Sequence, residues 1–147
     1  MELEKKILTI NRLLADYFVL YIKLHRYCWY VKGQQFSSLK NWYETKLTVC
    51  KAHIDQLVEL ILILEGQPFA TMEKYVKEAT LEEATADDET EEMMSQLLHD
   101  ANHLLKITNE IIEKKTEDQA SRLVQQTMLP LEHELMKIKN ECRNYFK

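Results

Sequence analysis

The residues best able to do chemistry lie in two runs. The stretch LHRYCWYVKG, residues 24–33, sets His25 and Cys28 three apart among aromatics, just before Gly33. Tyr21, His25 and Cys28 follow at steps of four and three, so on a helix they share one flank. Further on, Lys40, Glu44, Lys51, Asp55 and Glu59 fall at steps of four, seven, four and four, a slowly drifting line along a second helix. Glu44, Asp55 and Glu59 facing His25 or Cys28 would offer a divalent ion oxygen donors mixed with nitrogen or sulfur. Iron, manganese and zinc all suit such a set. The same residues carry a plainer reading. Lys40 and Lys51 lie on the line with the acids, and an exposed row of that kind forms weak ion pairs. Cys28, on an apolar face, reads first as a small hydrophobe.

Other histidines offer less. His99 and His103 are four apart, the spacing of a two-histidine metal clip. Leu97, Leu98, Ala101, Leu104 and Leu105 define the buried face there, however, so both imidazoles are expected to point away from it as a surface pair. His53 neighbours the carboxylate line but faces elsewhere, and no role falls to it. No Glu-x-x-His occurs anywhere in the chain, which argues against a di-iron centre inside a helical bundle.

The elements that must position these groups follow from composition and periodicity. The chain has 147 residues but only two glycines and two prolines. A sheet protein needs turn residues every 8–12 positions or so, which this chain cannot supply. The expected fold is all-α, a single domain over residues 1–147. The first helix is predicted over residues 4–31, with an apolar face of Ile7, Ile10, Leu14, Tyr17, Phe18, Tyr21, Leu24, Cys28 and Trp29, and it ends at Gly33. After the loop GQQFSS, capped by Ser37 or Ser38, a second helix spans 39–64 and stops at Gly66 and Pro68. A long connection follows, holding one short helix over 72–79 behind a Thr71 cap and then the acidic stretch TLEEATADDETEE. Its acids suit the N-terminus of a third helix over 90–115. The break KKTEDQ leads into a fourth helix over 118–146, which Pro130 should kink or split. Two helical hairpins joined by one long crossover make a ferritin-like four-helix bundle.

The formal net charge of −5 argues against nonspecific binding to phosphate backbones, and MELEKKIL is neither a basic arm nor a signal peptide. Cys28, Cys50 and Cys142, an odd number at wide spacing, suit reduced thiols in a cytoplasmic protein. No apolar run is long enough to cross a membrane.

LYIKLHRYCWYVKG, then QFSSLKNWYE, then HIDQLVELILILEGQPFAT resemble the Dps family of mini-ferritins. The resemblance covers roughly residues 10–75 in motif and the rest in helix pattern. It implies a homo-oligomer, a two-fold dimer assembled into a hollow dodecamer. It also implies ferrous iron bound at sites shared by two subunits, oxidised with peroxide and stored as ferric mineral. Some members also bind DNA, often through a lysine-rich tail, which this chain lacks.

Position by position, the match is uneven. Where the family has a histidine before Trp-Tyr, this chain has Cys28; where it has one at the start of the second helix, this chain has Lys40. Glu44 stands for an aspartate, while Asp55 and Glu59 keep the pattern Asp-x-x-x-Glu. His25 matches a histidine often found one turn before the first ligand. Three carboxylates are kept and both imidazoles lost. A protonated lysine has no lone pair, so Lys40 is expected to replace a metal electrostatically. The resemblance therefore implies stress-related iron storage with the ferroxidase centre weakened or lost. A non-catalytic stress-associated shell, a zinc-binding protein using Cys28 and His25, and a DNA-protecting protein stand as alternatives.

Overall fold

The computed structural model describes residues 2–33, 36–84, 89–114 and 116–147. Five α-helices form among the described residues: α1 Glu2–Tyr30, α2 Phe36–Ile63, α3 Met72–Glu78, α4 Thr90–Glu113 and α5 Gln119–Tyr145. The loop positions 34–35, the acidic positions 85–88 and Lys115 of the expected breaks lie outside the described residues. None of the described helices is long and apolar enough to cross a membrane.

The predicted elements are present, with instructive differences at their ends. Gly33 adopts φ 97°, the left-handed region that favours glycine, and its carbonyl accepts the Phe36 amide at 3.1 Å. That turn starts α2 at Phe36, so Ser37 and Ser38 sit in the first turn and are not its caps. At the other end of α2 the left-handed residue is Glu65, at φ 65°. Gly66 donates to the Ile61 carbonyl at 2.8 Å and Glu65 to Leu62 at 3.0 Å, the paired bonds of a Schellman ending. Gly66 is needed for a different reason: a Cβ there would lie 2.7 Å from Ile7 Cγ2 of α1. Thr71 caps α3 as expected, accepting the Lys74 amide at 3.2 Å. Pro130 neither splits nor ends α5. It lies on the exposed side, where the carbonyl that loses its partner can turn to water.

Helix α1 packs along α2 and α4 along α5, α1 also touches α4 and α2 touches α5, and α3 lies against α1. The four long helices thus close a ring around one core, the ferritin-like bundle. Tyr17, Tyr27, Tyr43, Leu57, Leu97 and Met128 are among its fully buried side chains. Trp29, expected on the apolar face of α1, is instead 67% exposed, because it lies past the edge of the stripe that Leu24 and Cys28 bury.

The crossover is stitched to α1 by polar residues set within its apolar stripe. The Asn11 side chain donates to the Gln67 carbonyl at 2.9 Å and accepts the Phe69 amide at 2.8 Å. Asp16 accepts the amides of Thr80 and Leu81 at 2.5 and 2.9 Å and the Thr80 hydroxyl at 2.6 Å. Lys23 donates to the Glu82 carbonyl at 2.9 Å and lies 2.6 Å from Asp100 of α4. These bonds satisfy backbone groups of a segment without regular structure, which would otherwise be left unpaired against the bundle.

Candidate metal centre

The antiparallel packing of α1 and α2 brings the two altered positions together. The Cys28 thiol donates to the Lys40 carbonyl at 3.8 Å. The Lys40 ammonium stands 4.0 Å from Glu44 Oε1, with the two side chains 38% and 55% exposed. Burial pushes the Cys28 thiol above its ordinary value; the Lys40 charge pulls it down and Glu44 pushes it up. The sulfur is therefore a protonated thiol at neutral pH, a weak ligand and a poor nucleophile. His25, one turn before Cys28, is partly buried between Tyr21, edge-on at 4.6 Å, and Trp29, tilted at 5.2 Å.

The other two carboxylates are exposed further along α2. Lys51 pairs with Asp55 at 3.1 Å, both side chains about two-thirds exposed, and Glu59 lies one turn on. The expected line is present as a solvated flank. Eleven residues separate Glu44 from Asp55, roughly 16 Å at 1.5 Å per residue. One ion therefore cannot bind both within a single chain, and the one-chain cluster of Glu44, Asp55 and Glu59 with His25 or Cys28 does not form. Among the described residues no three histidine, cysteine or acidic groups converge on a point. Any site that uses all three carboxylates needs a second copy of the chain.

The histidine pair divides. His99 is exposed, but His103 Nε2 lies 2.9 Å from the Thr80 hydroxyl and helps to hold the crossover. His53 does face away from the carboxylate line, and its direction is inward. It is 7% exposed and edge-on to Tyr17 at 6.3 Å, and burial pushes its imidazole below the ordinary value against the pull of Glu134.

The charged groups that sequence periodicity missed lie inside the bundle. Lys46, 3% exposed, reaches Glu134 at 3.2 Å and Glu141 at 2.7 Å across the α2–α5 contact. Trp42 Nε1 donates to Glu141 Oε2 at 2.9 Å. Burial raises Glu141, but the hydrogen bonds from Lys46 and Trp42 and the charges of Lys46 and Lys137 together outweigh it, leaving the carboxyl below its ordinary value. The signal was available: Lys46 falls between Tyr43 and Cys50 at steps of three and four, in the middle of the buried stripe of α2.

Comparison with known proteins agrees with this architecture. The family model of the ferritin-like domain matches residues 7–146. The chain is 34% identical over 119 residues to DNA protection during starvation protein 2 of Bacillus anthracis, covering 79% of this chain and 82% of that one. It is 34% identical over 112 residues to the DNA protection during starvation protein of Brevibacillus brevis, covering 74% and 75%. Over 97 residues it is 40% identical to General stress protein 20U of Bacillus subtilis, 66% of each. The crystal structure of a Dps protein from Bacillus brevis superposes with a TM-score of 0.92 at 28% identity, covering 99% of this chain and 97% of that chain. Sequence and fold together place this chain in the Dps family of ferritin-like mini-ferritins.

Proposed function

We propose that the protein is a stress-associated iron-handling shell whose ferroxidase centre is weakened by its own sequence. The observation that carries this reading is the adjacency of Cys28 and Lys40 beside Glu44 at the α1–α2 crossing. Iron enters this account as substrate and cargo. Glu44, Asp55 and Glu59 are donors that a hard cation accepts, and their wide spacing on one helix suits a site completed across a two-fold axis. Lys40 does not fit: its ammonium donates only, and it stands where a ligand is wanted. Cys28 as a protonated thiol does not restore a neutral donor, and His25, packed between the edge-on Tyr21 and the tilted Trp29, is the remaining imidazole on that flank. In the proposed dimer Lys40 pairs with Asp55 and Glu59 of a second copy and supplies the positive charge that ferrous iron otherwise supplies. Exposed apolar side chains on the outer elements, Ile22 and Trp29 of α1 and Met72 and Val76 of α3, support such self-association. The names of the relatives point to protection of DNA during starvation and to general stress. The net charge of −5 favours protection by sequestering iron over coating of DNA.

Anaerobic titration with ferrous iron, followed by hydrogen peroxide, tests this reading. Slow oxidation without a defined stoichiometry is expected. Rapid oxidation of a fixed number of ferrous ions per dimer would overturn it. The second reading, a shell without any iron chemistry, predicts no uptake of iron even on prolonged incubation.

A further inference from the structure

Trp42 stands at the edge of a buried aromatic cluster that has no part in the proposal above. Its ring lies edge-on to Tyr43 at 5.2 Å, and Tyr43 lies 5.9 Å from Tyr27. The polar protons of the three side chains go to different acceptors. The Tyr27 hydroxyl donates to the Gln96 amide oxygen at 3.0 Å, and the Tyr43 hydroxyl to the Met94 thioether at 3.3 Å. Neither acceptor is a base at neutral pH. The Trp42 indole instead donates to a carboxylate, Glu141 Oε2, at 2.9 Å.

An indole that loses one electron becomes a strong acid, and a base already within hydrogen-bond reach takes its proton without rearrangement. Glu141 is such a base. Its carboxyl lies below its ordinary value and is ionised at neutral pH, and Lys46 fixes its other oxygen at 2.7 Å. When Glu141 takes up a proton, Lys46 keeps its contact with Glu134 at 3.2 Å. The same ammonium lies 5.4 Å from the centroid of the Trp42 ring. Its charge opposes a positive charge on the indole, which ties loss of the electron to loss of the proton. Burial holds the Tyr43 phenol well above its ordinary value, so its proton is not released in the same way. Trp42 is half-buried and Glu141 is 32% exposed, which leaves the pair within reach of a soluble oxidant.

We propose that Trp42 is a one-electron redox site whose indole proton is taken by Glu141. The electron passes to a one-electron oxidant in solution, such as carbonate radical, which becomes carbonate. The indole N–H bond breaks and the proton crosses the 2.9 Å hydrogen bond to Oε2, leaving a neutral tryptophanyl radical beside a neutral carboxyl group. Ascorbate reverses the step by returning one electron, and Glu141 returns the proton. The oxidising equivalent stays on Trp42, because the Tyr43 hydroxyl donates to a thioether and not to a base. The site works independently of the outer carboxylates.

The test is flash photolysis of the full chain with photogenerated tris(bipyridine)ruthenium(III) as the oxidant. Trp29→Phe is included throughout, so that Trp42 is the sole tryptophan. This parent should give a deprotonated tryptophanyl radical at neutral pH, seen by transient absorption, at a rate that slows in heavy water. Adding Glu141→Gln should slow the oxidation by about 100-fold, as expected for loss of a positioned base, and should leave the radical protonated when it first appears. Equal rates and the same radical in the two chains overturn the proposal, as does a tyrosyl radical in place of the tryptophanyl one. If the Glu141→Gln chain does not fold, Glu141→Asp decides, because it keeps the charge beside Lys46 and draws the carboxylate back from the indole. Slower oxidation than in the parent then supports the proposal, and an unchanged rate overturns it.

Discussion

Replacement of Lys40 tests most directly whether this lysine, and not the loss of an imidazole alone, suppresses metal binding on the outer face. The Lys40 ammonium lies 4.0 Å from Glu44 Oε1, so a divalent ion held by Glu44 would sit on the order of 4 Å from a fixed positive charge. Both side chains are more than a third exposed, so water-like screening applies. Coulomb's law then gives a repulsion of about 2 kcal/mol between a double and a single charge at that distance. That is about a 30-fold loss of affinity. Lys40→Met removes the charge without adding a ligand, and should tighten binding of manganese(II), a redox-silent stand-in for ferrous iron, by about 30-fold at low salt. Lys40→His removes the charge and adds a donor, and should exceed Lys40→Met. Electron paramagnetic resonance of free manganese during titration measures both. The gap between Lys40→Met and the natural chain should narrow at high ionic strength, as expected for an exposed charge. If the natural chain binds manganese as tightly as Lys40→Met at low salt, the electrostatic argument fails.

Two further outcomes follow from the buried polar groups. Asp16, 1% exposed, accepts three hydrogen bonds from Thr80 and Leu81. Asp16→Ala should cost about 3 kcal/mol by leaving two amides unpaired, lowering the melting temperature by about 6–12 °C; hydrogen exchange at residues 80–81 should speed up before that of the bundle, and an unchanged exchange rate there would refute the anchoring role. The Glu141 carboxyl lies below its ordinary value of 4.5 in the folded chain. Its contribution is thus present above that value and lost as pH falls through the lower folded value, so the melting temperature of Glu141→Gln should fall less steeply than that of the natural chain below about pH 4.5.

The helices were legible because apolar residues recur at three- and four-residue steps over long stretches, a pattern that local turn chemistry does not disturb. The ends were less so. Gly66 looks like the residue that stops α2, yet Glu65 takes the left-handed conformation, and Gly66 is there because α1 comes too close for a Cβ. Such an approach is tertiary and leaves no local trace. The outer carboxylate line was legible in the same way as the helices, being a periodic pattern on one element. What it can hold was not, since the 1.5 Å rise that aligns Glu44 with Asp55 also keeps them apart. The interior cluster was hidden in a different way: Glu134 and Glu141 stand in sequence among Glu132, Lys137 and Lys139, and their inward direction is marked by Trp42 and Lys46 on another helix.

Lys40 and Lys46 lie six residues apart on α2, which sets them about 120° apart around the helix and on different faces. Each stands beside carboxylates, but burial gives the two ammonium groups different consequences. Lys40 is 38% exposed, and its pairing with Glu44 is of the kind that contributes about 0–1 kcal/mol to stability. Its replacement should therefore change metal affinity while leaving the melting temperature almost unmoved. Lys46 is 3% exposed, and breaking a buried pair of this kind costs on the order of 3–5 kcal/mol. Glu141 is 32% exposed and relieves part of that charge, which puts the expected loss at about 3 kcal/mol. Replacement of Lys46 should therefore change stability while leaving metal affinity on the outer flank almost unmoved. The two lysines can thus be separated by one pair of measurements, and a Lys40 variant that melts like a Lys46 variant would mean that the outer flank is not the solvated surface described here.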